Sequence, residues 1–153
     1  MPLAKSRPLT SVLSTTSGNS VGDRRRDNVT GNEYIFLKGV ANCAVGSLVC
    51  FDSGNSYAVS LADTTHVAEY LPLAVAIAAV DATHYGWFQL TGRVSVLAKA
   101  SSTKQTLVYT SATAGYAGTS STSQTLINRM MLDTAAGGTD GLTTAYIQYP
   151  SAN

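Results

Sequence analysis

Charge is what this chain has least of. Only 12% of its 153 residues are Asp, Glu, Lys or Arg, about half the ~25% usual in soluble domains. Glutamate stands at two positions, 33 and 69. Scarce Glu and Lys means few of the residues that build long solvated helices, which leaves strands joined by small polar turns. Histidine is as thin, with His66 in the polar "DTTHVAEY" and His84 in the turn before Tyr85; a structural or surface role suits each. No G-x-S-x-G turn is present and the serines fall in linker-like runs, so a Ser-His-Asp site has no candidate nucleophile. Asp52, Asp63, Glu69 and Asp81 are the carboxylates from which a glycosidase pair would be drawn. Carboxylates in turns usually cap those turns instead. The sequence gives an enzyme no positive support, and no catalytic residue is assigned.

Two cysteines, Cys43 and Cys50, lack any CxxC or Cys/His metal spacing. Buried thiols are favoured over a pair facing across a hairpin. "GGTDG" at 137–141 has neither the Lys nor the helix of a phosphate loop, and Asp140 is too isolated for a calcium loop. No metal or cofactor is expected. The most apolar run, "LPLAVAIAAV", is far shorter than the ~20 residues that span a bilayer, and no secretion signal opens the chain. A soluble protein with no membrane partner is expected, in which the "NVT" glycosylation sequon at 28–30 is a chance match.

What charge there is divides unevenly. Residues 1–38 carry six cations against three carboxylates, +3, and the remainder four against six, −2. Neither half is basic enough for a nucleic-acid partner. Residues 1–33, with two prolines and scattered apolar groups, are expected to form an extended arm, disordered or ordered along a partner. Leu9, Val12 and Leu13 are its apolar anchors. Arg24, Arg25 and Arg26 in "DRRRD" suit an acidic patch on a protein partner, since guanidinium forks grip carboxylates; a solvated arm explains them equally.

From residue 34 to 153 the pattern is all-β. "EYIFLKGVA", "SLVCFDS" and "YAVSLA" have strand character, with "SGNS" at 53–56 as a turn. The Ala-rich composition of Leu71 to Val80 would allow a short helix, but its alternation of large and small residues and its length favour a strand covered on both faces. "GWFQL" and "RVSVLA" flank Thr91-Gly92 in hairpin style, and "TLVYT", "QTLINRMML" and "TTAYIQY" complete a set separated by Gly/Ser/Thr clusters. Such spacing predicts a compact β-sandwich or β-barrel, tulip-like, behind the arm. Tyr85 and Trp87 share one side of their strand while Phe88 and Leu90 fall on the other. One side would be the domain's core and the other would lie under a second sheet, the arm, or another subunit.

"LPLAVAIAAVDATHYGWFQLTGRVSVLA" followed by "TLVYTSATAGYAG" resembles the head-decoration, or cement, proteins of tailed phages, over about residues 34–135. The shared pattern is the "AVAIAAV" strand, "YGW" opening the next strand, G-x-V-x-V, and a "VYT" strand before "SATAG". The resemblance implies a β domain on the outer surface of the virion head. It would bind the major capsid protein, often as a homotrimer, with extended segments reaching over neighbouring coat subunits. The arm at 1–33, with Leu9, Val12, Leu13, Arg24, Arg25 and Arg26, would suit that capsid-binding role. The front here is longer and more basic than in the simplest members, however, which leaves open which segment grips the capsid. A tail or fibre component with a receptor- or carbohydrate-binding tip is the alternative, with aromatics in "TAGYAG" (Tyr116) or "THYGW" to stack on sugars.

Overall fold

A computed structural model describes residues 9–16, 18–65, 71–122 and 124–152. The protein is all-β. Eleven strands are formed among the described residues: β1 Arg24–Arg26, β2 Glu33–Lys38, β3 Leu48–Asp52, β4 Ala58–Leu61, β5 Leu73–Ala76, β6 Tyr85–Gln89, β7 Thr91–Ala98, β8 Leu107–Thr110, β9 Ala117–Gly118, β10 Leu126–Leu132 and β11 Gly141–Ala152. The first six make a sheet of order β1-β2-β6-β5-β3-β4, and the last five close into a barrel, β10-β11-β7-β9-β8.

The alternation in the first six strands explains how the sheet is used. Ile35, Leu37, Val49, Phe51, Ala74, Ala76 and Phe88 point to one face and form a core of their own, joined by Val59 and Leu61 of β4. The sheet curls around this core, bringing β2 into contact with β4. On the opposite face, Leu48, Cys50, Leu73 and Val75 merge with Val94, Val96, Ile127, Leu132 and Ile147 of the barrel in one continuous core. That shared core welds sheet to barrel. Phe36, Phe51 and Phe88 are among the fully buried side chains, each stabilising the fold by ~1.5–3 kcal/mol through loss of apolar surface to water.

The segment "GWFQLTGRVSV" is not the hairpin its glycine suggests. β6 pairs with β2 and β5, whereas β7 pairs with β11 and β9. The chain passes from sheet to barrel at Leu90–Gly92, and buried Gln89 fixes the corner by donating from Nε2 to the carbonyls of Thr91 (2.7 Å) and Arg93 (2.9 Å). Gly92 is required there. Its φ is +94°, and a Cβ would overlap the Asn32 carboxamide.

The predicted strand at 71–80 is also shorter than its alternation implied. It is regular only over 73–76 and then bends. Beyond Ala76 its place beside β6 passes to the front of the chain, where Leu13 forms an antiparallel bridge with Tyr85. Within the stretch expected to be an arm, Arg24–Arg26 pair with Glu33–Ile35 as the outermost strand of the sheet.

Candidate functional site

Leu9 and Leu13 pack with Tyr85 on a cluster of Tyr34, Phe36 and Trp87. Phe36 and Trp87 meet with ring centroids 5.2 Å apart, and Phe36 and Tyr85 stack at 6.1 Å. The far side of the Tyr-Gly-Trp-Phe strand is therefore covered by the chain's own front segment. Trp87 is left 7% exposed and Phe88 0%. Val12, between the two leucines, points outward. Arg24 lies over the Tyr149 ring, 5.8 Å from its centroid, Arg25 is half-buried, and Arg26 lines a cleft beside the β1–β2 turn.

Of the carboxylates weighed above for catalysis, Asp52, Asp63 and Asp81 hold turns. Asp52 accepts from the Gly54 amide, Asp63 from the Thr65 amide, and Asp81 from both the amide and hydroxyl of Thr83. His84 Nδ1 is 2.8 Å from the same Asp81 oxygen. The Thr83 hydroxyl, His84 and the Thr83 amide hold the Asp81 carboxyl well below the usual carboxylate range. His66 and Glu69 lie outside the described residues. Among those described, no three His, Cys, Asp or Glu side chains converge as metal ligands. Cys43 and Cys50 are buried and not joined; they belong to different cores. Burial pushes the Cys43 thiol up, and pushes that of Cys50 up to about 11. Tyr116 carries Lys99 over its ring, 5.7 Å from Nζ to centroid.

Two surface features have no counterpart among these residues. The first is a row across the barrel exterior. Met131 pairs directly with Leu107 on one side and Tyr146 on the other, and Tyr146 pairs with Arg93 beyond. Leu107 is 63% exposed, Met131 45% and Tyr146 54%, so three large apolar side chains stand in contact order on the outside. Beside them a hollow of about 290 Å³ is bordered by Leu126 and Arg129. "RMML" carries a weak signal of this, because consecutive large residues on a half-buried strand cannot all face inward.

The second is a cleft of about 390 Å³ on the other side of Tyr146, between the β1–β2 turn, the crossover at Thr91-Gly92 and β11. A bulge shapes it. Asn128 pairs with Ser151 and Met130 with Ile147, so Arg129 alone opposes Gln148, Tyr149 and Pro150. Arg129 and Tyr149 both take left-handed backbone, φ +59° and +50°, unfavourable for residues with bulky side chains. The Tyr149 hydroxyl donates to Glu33, which pushes its acidity down and its pKa up. The β1–β2 turn is equally fixed. Asp27 accepts from the Val29 amide (3.0 Å) and the Thr30 hydroxyl (2.7 Å), and its carbonyl accepts from Gly31.

Compared with protein-family models and with curated proteins, the chain has no match.

Proposed function

We propose that this is a structural virion protein that binds the outer surface of a phage capsid and stabilises the head by bridging neighbouring major capsid subunits. The observation that carries the reading is the exposed Leu107–Met131–Tyr146 row. A contiguous apolar patch with arginines at its margin has the composition of an interface centre rather than of free surface. Arg93 and Arg129 supply that margin. The resemblance of residues 34–135 to cement proteins supports the same reading and implies the major capsid protein as the partner. On this reading the protein has no catalytic step. It acts by mass action: whatever binds only the assembled, folded lattice stabilises that lattice. The homotrimer that the resemblance implies belongs to the proposal.

The test is to locate the chain by cryo-electron microscopy on particles from its source, and to add Met131→Glu protein to particles stripped of it. A regular array on the head, restored by the unsubstituted protein and not by an equally stable Met131→Glu variant, is the expected result. Density confined to the tail, or full rebinding by Met131→Glu, overturns the proposal.

A further inference from the structure

The cleft beside Tyr146 has a different chemistry from the apolar row, and we infer that it binds a neutral carbohydrate. Arg24 lies over the adjoining Tyr149 ring, and the cleft's own charged lining groups are Arg26 and Glu33. Between them stand Asn32 and Gln148, whose side-chain amides make no hydrogen bond to other described residues. A sugar's vicinal hydroxyls each donate and accept. Planar amide, guanidinium and carboxylate groups set side by side offer the complementary pairs of donors and acceptors. Tyr146 presents an exposed ring at the rim, the apolar platform on which the C–H face of a pyranose packs, with a hydroxyl at its tip.

The second support is that these groups are held in place before any ligand arrives. Glu33 is fixed twice, its amide donating to the Thr91 hydroxyl (2.9 Å) and its carboxylate accepting from Tyr149. Asn32 occupies space that only a glycine at 92 leaves open. The left-handed Tyr149 is anchored through its amide to the Leu90 carbonyl (2.8 Å). Backbone held in an unfavourable region by surrounding contacts is characteristic of binding sites, where the geometry is set in advance of the ligand. A polar cleft of this size, with convergent donors and acceptors over an aromatic wall, fits one or two sugar rings.

This inference does not rest on the capsid reading: Tyr146 borders both surfaces, so the glycan is tested on the free protein. The test is an array of defined neutral and charged glycans, followed by titration of ¹⁵N-labelled protein with cellotriose, maltotriose and chitotriose, and with inorganic phosphate as the anionic control. Expected is retention of at least one class of neutral glycan. Its titration should give saturable shifts at the amides of Asn32, Tyr146 and Gln148, with affinity lowered about tenfold or more by Tyr146→Ala or Gln148→Ala. Leu107→Glu, two strands away on the row, should leave glycan affinity unchanged while impairing capsid docking, so the two readings fail separately. No neutral glycan retained, shifts confined to other surfaces, or saturable shifts with phosphate alone would each overturn the inference.

Discussion

Leu13 and Tyr85 exchange both of their backbone hydrogen bonds, at 2.9 and 2.7 Å. Tyr85 thus pairs with Lys38 across one edge of β6 and with the front of the chain across the other. This one bridge sets Leu9 and Leu13 over the aromatic cluster. It also makes the tryptophan, the only one in the chain, a reporter of the segment's position.

Removal of residues 1–14 should leave the eleven-strand fold intact and uncover Trp87. The expected signature is a red shift of its fluorescence and easier quenching by iodide. Unchanged emission would show that the front segment does not cover the ring. Trp87→Ala in the full chain should cost ~3–5 kcal/mol in urea unfolding, as for a large buried aromatic.

Gly92→Ala should destabilise the protein by roughly 1–3 kcal/mol, because the φ is left-handed and the new methyl displaces Asn32. Gly137→Ala, where nothing lies within 4 Å of the added carbon, is the matched control. Equal unfolding midpoints for the two variants would contradict the crossover geometry.

The carboxyls of Asp27, Asp81 and Asp140 are all held below their ordinary value, by Thr30, Thr83 and Lys99 first among their partners. A carboxyl with a depressed folded pKa binds its proton less readily in the folded than in the unfolded chain. Its contribution to stability is therefore present above the unfolded pKa, near 3.8, and is lost as the pH falls toward the folded value. Stability should be flat from neutral pH to about pH 5 and decline below about pH 4. Asp81→Asn should make that decline shallower. A decline that begins near pH 6 would contradict this assignment.

Both thiols should resist alkylation in the folded protein. The raised values at Cys43 and Cys50 leave almost no thiolate at neutral pH, and burial removes access. Iodoacetamide should label neither until the protein is unfolded, and then label both. Fast native labelling of either would contradict its place in the core.

Strand existence was legible in the sequence because it depends on local alternation, and "EYIFLK", "SLVCFD" and "RVSVLA" alternate or run apolar in the lengths strands require. Pairing was not. A Thr-Gly corner that reverses a hairpin and one that carries the chain into another sheet use the same left-handed glycine, and only the distant partners of β6 and β7 distinguish them. The outward alternation of Met131 and Tyr146 can be read from "NRMML" and "TAYIQY", but not that they stand side by side with Leu107, since register is a long-range property. The bulge at Tyr149 was signalled only by Pro150, which cannot donate to a ladder. No glycine stands at Tyr149 itself, whose left-handed backbone is held by contacts to Leu90 and Glu33.

The two ends of the described fold are held very differently against a pull. β11 is matched residue for residue with β7 over eight positions, from Gly141–Ala98 to Gln148–Thr91, and then crosses to the sheet, where Ser151 bridges Pro72. Tension along β11 loads all of those hydrogen bonds in shear, so they must break together. Tension on the front segment meets the single Leu13–Tyr85 bridge and peels it. Under load the front segment would therefore pay out first as slack, while the sheet and barrel stay clamped by the strand they share.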